Sequence, residues 1–505
     1  MPKALPLMVQ GTSSDAGKSA IATALCRIFA QDGYKTAPFK SQNMALNSYV
    51  TLDGKEIGRA QGVQAEAAGI LATTDMNPIL IKPTRDSESQ IVVNGEPYAN
   101  MKAMAYRQEF YEEGLRIIGE AYERLAAAYE RIVIEGAGSP AEVNLNDREL
   151  VNMRVARLTN APVILVADIE RGGVFASLVG TLQLLEPEDR DRVIGVVINR
   201  FRGDLTLLQS GLDWFEEYTG KPVLGVVPFI PDLWIDAEDS LILHRYQGQR
   251  ETPRDLDIAV LRYPRISNFT DVDPFFVEPD CRMRFVTRLE ELGEPDLIVL
   301  PGSKNTLEDL QFLRESGLAD AVKQLHVQKK SYVVGLCGGY QMLGLTILDP
   351  DGVESPLQQL DGLGLIPMTT TMETKKTTVL SRGEAVFAGE RLEVEGYEIH
   401  MGQSAYEQVD APFIQMGERT EGYCQEERQL IGTYFHGLFH NDRFRTLLLN
   451  AIRAKKGLEP IVERPSFVAL REQGYDLLAD TVRRHVRMDV IEEQMKAYQE
   501  KEVRI

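Results

Sequence analysis

Cysteine is scarce and scattered. The 505 residues hold four, Cys26, Cys281, Cys337 and Cys424, with no Cys-x-x-Cys pair among them. That excludes a disulfide scaffold and a zinc site, and it suits a reducing cytoplasm. Positive charge is also short, with a formal net charge of −20. The excess of acid argues against general binding to nucleic acid or to an anionic membrane surface. Any anionic substrate must then be drawn by a local basic cluster. No apolar run approaches the roughly 20 residues needed to cross a bilayer. The N-terminus lacks a charged region followed by an apolar stretch, so no signal peptide is expected. Repeats and low-complexity segments are missing too. What is there is ordinary for a globular chain, 44% hydrophobic and 26% charged residues. The length allows two or three domains, each with its own core. The sequence therefore predicts a cytoplasmic protein with no nucleic-acid or membrane partner; an oligomer stays open.

The most informative stretch is Gly335-Leu336-Cys337-Gly338-Gly339-Tyr340-Gln341. Apolar Tyr332-Val333-Val334 before it reads as a short buried strand, and Gln341 to Leu345 after it as the first turns of a helix. A cysteine at such a tight turn points its sulfur at a helix N-terminus, where backbone N–H groups and the dipole favour a thiolate. The N–H of Gly338 is placed to donate to an oxyanion. A structural cysteine in a Gly-rich turn is the alternative.

A second motif opens the chain. Leu5 to Gln10 reads as a buried strand, Gly11-Thr12-Ser13-Ser14-Asp15-Ala16-Gly17-Lys18-Ser19 as a loop, and Ala20 to Ala30 as a helix. Strand, Gly-bounded loop and helix is the context of a phosphate-binding loop. Its N–H groups wrap phosphates, Lys18 reaches the outer ones, and the Ser19 hydroxyl can ligate Mg²⁺. The spacing is one residue longer than the common form. Arg131 to Ile134 is a further strand, ending in Glu135-Gly136-Ala137-Gly138. Glu135 at that strand end is placed to hold Mg²⁺ opposite Ser19.

Ala161 to Asp168, Val193 to Arg200 and Pro222 to Pro228 read as further buried strands. Asn199 sits where P-loop folds often read the nucleotide base. Lys40 ends a short strand, where a lysine is usually a solvated charge. Arg59, Lys82 and Arg85 either build the positive field a polycarboxylate needs or are scattered surface charges. Tyr98 to Tyr129 reads as a long amphipathic helical region. After a polar stretch at 231–255, βα alternation resumes, and the tail from about Leu447 has helical spacing. Strands alternating with helices imply parallel sheets covered on both faces, an α/β chain of two doubly wound domains.

The Cys337 turn resembles the nucleophile elbow of class I glutamine amidotransferases, Gly-x-Cys-x-Gly. The resemblance implies that Cys337 attacks the side-chain amide of L-glutamine and releases ammonia. It implies that His436, in Thr433-Tyr434-Phe435-His436-Gly437, is the base. Leu297-Ile298-Val299-Leu300-Pro301-Gly302 puts Gly302 in the role of an oxyanion donor. Many members follow the histidine with Pro-x-Glu, whose Glu orients the imidazole. Here Gly437-Leu438-Phe439 stands instead, so that carboxylate is missing from its usual place. Cobyrinic-acid-type amidotransferases share this departure and carry a second histidine motif, matched by Gly396 to Gly402 around His400.

The first loop and Glu-Gly-Ala-Gly resemble the dethiobiotin-synthetase-like ATPases, which implies ATP as cofactor and gives Lys40 a place facing the reacting phosphate. Both halves in this order, with Phe39-Lys40-Ser41-Gln42-Asn43-Met44-Ala45-Leu46-Asn47-Ser48, are similar to the amidotransferase family of cobalamin biosynthesis. That implies a P-loop synthetase domain at 1–230, a linker at 231–255, an amidotransferase domain at 256–446 and a helical extension at 447–505. It implies a corrinoid polycarboxylate substrate, amidated at its b, d, e and g side chains with ATP, Mg²⁺ and glutamine. The alternatives are the relative that amidates positions a and c, a synthetase acting on a cell-wall lipid precursor, and a MinD- or ParA-like ATPase switch with an inactive second domain. Against the switch, Thr12 and Ser13 occupy the region where it carries an extra lysine.

Overall fold

The computed structural model describes residues 4–85, 88–231, 233, 254–406 and 411–503. They form two compact units that alternate along the chain. The first takes Met1–Ala45, Glu56–Glu238 and Arg471–Ile505, the second Leu46–Lys55 and Asp239–Leu470. Most of the expected linker at 231–255 lies outside the described residues.

The first unit is built on a six-stranded sheet. Its order is Val223–Pro228, Val193–Phe201, Val163–Asp168, Leu5–Gly11, Arg131–Glu135, Thr36–Phe39, parallel throughout. Such strands are apolar on both faces because helices cover both; every residue of Leu5–Gly11 is buried. Helix Lys18–Gln31 lays Ile21, Leu25, Ile28 and Phe29 on this sheet. Leu478, Val482, Ile491 and Met495, from helices Phe467–His485 and Met488–Val503, complete the same core. A smaller four-stranded sheet joins Gln42–Met44, Ile79–Arg85, Glu88–Val93 and Glu96–Lys102.

This sheet corrects one expectation. Tyr98 is not helical: Glu96–Lys102 pairs antiparallel with Glu88–Val93. Helices start only at Ala103 and run as Ala103–Glu109 and Tyr111–Ala128. The ladder to a neighbouring strand overrides local helical spacing, as tertiary context often does.

The second unit has five adjacent parallel strands, in the order Cys281–Val286, Leu256–Leu261, Leu297–Leu300, Tyr332–Leu336, Leu430–Thr433. Antiparallel strands extend it beyond Leu430–Thr433, including the long hairpin Met368–Phe387 and Glu390–Tyr406. Arg445, Arg453 and Arg464 anchor the end of this unit. They pair with buried Glu278 and Asp280 at 2.6 to 2.8 Å. Among the described residues no helix is long and apolar enough to cross a membrane.

Candidate active site

Ligands in open parallel sheets bind outside the carboxyl ends of the strands. In the second unit, four neighbouring strands deliver their following residues to one such patch. Leu256–Leu261 leads to Asn268 and Asp271, Leu297–Leu300 to Gly302, Tyr332–Leu336 to Cys337 and Leu430–Thr433 to His436.

Cys337 has φ 50° and ψ −109°, a backbone state that L side chains rarely adopt. Such a residue costs of order 1–3 kcal/mol and persists only where its surroundings impose it. They do so here. Cys337 N–H donates to Thr433 O at 2.8 Å, and Gly339 N–H to Pro301 O at 3.0 Å. A Cβ on Gly339 would lie 2.0 Å from Leu300 O, so only glycine fits. The helix after the turn, Gly338–Met342, is five residues long. It is shorter than the sequence implies, and one turn carries little of a macrodipole. The counter-charge for a thiolate comes from His436 instead.

His436 is fully buried beside Cys337. Its Nδ1 lies 2.7 Å from Asp271 Oδ2, and Asp271 Oδ1 accepts the Gly437 N–H at 2.8 Å. Burial pulls the imidazole down, but Asp271 and Cys337 outweigh it and push it up to about 10. Asp271 thus supplies the carboxylate missing after the histidine. It stands in the short helix Phe269–Phe276, 165 residues earlier. Sequence reasoning missed it because no spacing links it to His436. The available signal was an acid in the loop after a predicted parallel strand.

Gly302 and Gly338 lie in the same patch. A Cβ on Gly302 would come within 3.2 Å of His436 Cε1, and one on Gly338 within 2.8 Å of Ser303 N. The loop carrying Gly302 is held by acids: Ser303 Oγ donates to Asp309 at 2.5 Å, and Thr306 N–H to Glu354 at 3.1 Å. Burial pushes Asp309 up to about 7. Gln341 ties the elbow sideways, accepting from Thr306 Oγ1 at 3.1 Å and donating to Tyr434 at 3.2 Å.

His400 belongs to the wall beside this patch. Its ring stacks on Tyr434 at 3.8 Å, and its Nδ1 lies 2.8 Å from Gly402 O. Its neighbour Ile399 brings a carbonyl oxygen 3.5 Å from Cys337 Sγ. Glu398, one residue further back, is pushed down to about 2. Burial opposes that shift, but the nearby His400 and hydrogen bonds from Arg419 and Ser381 prevail.

In the first unit the loop after Leu5–Gly11 gathers the predicted phosphate site. Lys18 lies with its stem against Gly11, and its Nζ donates to Ser13 O at 2.9 Å and Gly138 O at 3.1 Å. Thr12 N–H donates to Val166 O at 2.9 Å. Gly17 has φ 99°, and a Cβ there would meet Asn199 Nδ2 at 1.9 Å. Asn199 Nδ2 donates to Ala16 O at 3.1 Å, which braces the loop from below. Glu135 collects three donors: Ser19 Oγ at 2.8 Å, Lys40 Nζ at 3.0 Å, and Gln64 Nε2.

Lys40 is therefore no solvated charge but half of a buried ion pair. Lys82 is likewise buried against Glu56, which cancels its contribution to a positive field. Arg59 is buried at the start of helix Arg59–Ala67. The side chain of Arg85 lies outside the described residues. Among the described residues no three His, Cys, Asp or Glu side chains cluster to hold a metal. Ser19 and Glu135 nevertheless fit Mg²⁺, which keeps few protein oxygens and takes the rest from phosphates and water.

A phosphate loop in one unit and a Cys–His–Asp elbow in the other define a nucleotide-dependent amidotransferase. The comparisons agree. Residues 7–242 match the CobQ/CobB/MinD/ParA nucleotide binding domain, and residues 257–444 the CobB/CobQ-like glutamine amidotransferase domain. A cobyric acid synthase of Geobacillus sp. (strain WCH70) is 64% identical over 503 residues, covering 100% of both chains. That of Geobacillus thermodenitrificans is 63% identical over 501 residues, 99% of this chain and 100% of the other. That of Klebsiella pneumoniae is 49% identical over 510 residues, 98% and 99%. The chain belongs to the cobyric acid synthase family.

Proposed function

We propose that the protein amidates the b, d, e and g side-chain carboxylates of adenosylcobyrinic a,c-diamide, using ATP and glutamine. The observation that carries the glutaminase half is the buried pair of His436 and Asp271 at 2.7 Å beside Cys337. Family membership over the full length supports the acceptor.

A carboxylate is a poor acceptor for ammonia because its oxygen leaves badly. In the first unit, Lys18 and the loop N–H groups bind the phosphates of ATP, and the terminal phosphoryl goes to a carboxylate oxygen of the corrinoid. Lys40, released from Glu135, faces the oxygen that receives it. Ser19 and Glu135 would hold Mg²⁺, which when bound would supply charge neutralisation at the phosphates. Ammonia then displaces phosphate and leaves the amide.

In the second unit the Cys337 thiolate attacks the side-chain amide carbon of glutamine. The N–H groups of Gly302 and Gly338 receive the oxyanion. The C–N bond breaks as the His436 imidazolium gives its Nε2 proton to the departing ammonia. Water, deprotonated by the same nitrogen, cleaves the thioester and frees glutamate. Asp271 holds the ring in the tautomer both steps need.

Mass spectrometry of products from a panel of corrinoid acids, with ATP, Mg²⁺ and glutamine, tests the assignment. Four successive amidations of the a,c-diamide are expected. Amidation confined to positions a and c of the unamidated acid would overturn it.

A further inference from the structure

One stretch of chain sits apart from its neighbours. Leu46–Lys55 lies inside the residues that match the nucleotide-binding family, yet it belongs to the second compact unit. It is tied back on itself, with Thr51 N–H donating to Lys55 O at 2.9 Å and Thr51 Oγ1 to Asp53 at 2.6 Å. Its contacts converge on the surroundings of His436. Ser48, fully buried, gives its N–H to Asn268 Oδ1 at 2.9 Å. That bond fixes which way the Asn268 amide points, and its Nδ2 then reaches His436 Nε2 at 3.4 Å. Val50 packs in one apolar cluster with Tyr397 and Ile399. Tyr397 stacks on the imidazole at 5.0 Å, and Ile399 O lies against Cys337 Sγ. Gly54 closes on Thr378 O, where a Cβ would come within 2.9 Å, and Thr378 is the ladder partner of Ile399.

Asn268 is itself held in an unusual state, φ 50° and ψ 37°, and is buried. Asn tolerates that left-handed state better than most residues. Its Nδ2–H can be accepted by the ring nitrogen opposite Asp271 while that nitrogen carries no proton, the state reached after it has given its proton to ammonia and before it takes one from water. Asp271 fixes one edge of the ring, Tyr397 its face, and Asn268 the other edge.

We propose that Leu46–Lys55 is a positioning strap for the glutaminase, acting through Ser48 and Asn268 on His436 Nε2. Asn268 is a positioning residue, and glutamine hydrolysis depends on a segment read from the nucleotide-binding half of the sequence. The inference rests on the glutaminase reading of Cys337 and His436.

The test uses the full chain and two nitrogen sources. Asn268→Gly removes the amide while permitting the left-handed backbone; Ser48→Pro removes the N–H that orients it. Each is expected to lower kcat for glutamine hydrolysis about tenfold to a hundredfold with KM for glutamine little changed. Amidation supported by high ammonium should stay at the unsubstituted rate, which also reports a folded chain. The double variant should fall no further than Asn268→Gly alone. The strap is overturned if kcat stays within about twofold in Asn268→Gly, if ammonium-driven amidation falls in parallel, or if the two losses multiply. Cys337→Ala, run alongside, separates the two ideas. If it still hydrolyses glutamine, the glutaminase reading itself falls, whatever Asn268 does.

Discussion

At Cys337 and His436 the proposed chemistry reduces to one proton. Cys337→Ala should abolish glutamine-dependent amidation and leave the ammonium-dependent reaction near its original rate. Assays of glutamate release and of product with each nitrogen source decide it. Asp271→Asn tests the carboxylate more sharply. We expect a loss of about 10²- to 10⁴-fold in glutaminase kcat/KM, because the ring loses its preferred tautomer. A pH shift should accompany it. With Asp271 in place the imidazole holds its proton up to about 10, against 6.5 for a free side chain. The alkaline limb of the rate profile, where the general acid is lost, should move down from about 10 towards 6.5 in the variant. By the same sign, the pair stabilises the fold fully below the free value and loses that contribution as pH rises through the raised one. Cys337 and His436 were legible in the sequence because each carries local glycine chemistry, Gly-x-Cys-x-Gly and His-Gly. Asp271 was not, because Ile266-Ser267-Asn268-Phe269-Thr270-Asp271 matches no spacing rule. Only the parallel register of four strands makes it a neighbour of His436.

At the level of elements, strand ends explain both half-sites. Apolar runs and their following loops were readable, since a parallel strand buried on both faces leaves a near-continuous hydrophobic trace. The hairpin Met368–Phe387 and Glu390–Tyr406 was not. Its half-exposed strands alternate weakly, and its pairing is set by partners elsewhere in the sheet. Yet this hairpin supplies Tyr397, Glu398 and His400 beside the elbow. Glu135 shows what a strand end can carry. It gathers Ser19, Lys40 and Gln64, and its removal leaves Lys40 charged and buried. Glu135→Gln should stop amidation with glutamine and with ammonium alike. It should also lower stability by about 3–5 kcal/mol, the usual cost of breaking a buried pair. Preserved ammonium-dependent turnover would show that this carboxylate has no part in the phosphoryl step.

Over the whole chain, the net charge of −20 leaves local arrangement to decide where anions bind. The basic residues singled out from sequence divide on this point. Lys18 lies in the phosphate loop, whereas Lys82 is neutralised inside the fold by Glu56. Helical spacing in the tail suggested packing without saying against what. The partner is the core of the first unit, with bonds that reach far back along the chain, such as that from Arg483 to Ile28 O, 455 positions apart. Ile491 is fully buried there. Ile491→Ala should cost about 2–5 kcal/mol in a denaturant titration of that unit. The kinetic constants for glutamine, set in the other unit, should hold under native conditions.

The closing helices of that core have a consequence for biosynthesis. A ribosome releases a chain from its N-terminus, and domains generally fold in that order. Here the leading sheet emerges first but gains Leu478, Val482, Ile491 and Met495 last. Its apolar face must wait, open to chaperones, until residues 478–495 have been made. A message truncated near codon 470 would therefore yield a target for proteolysis rather than a shortened catalyst.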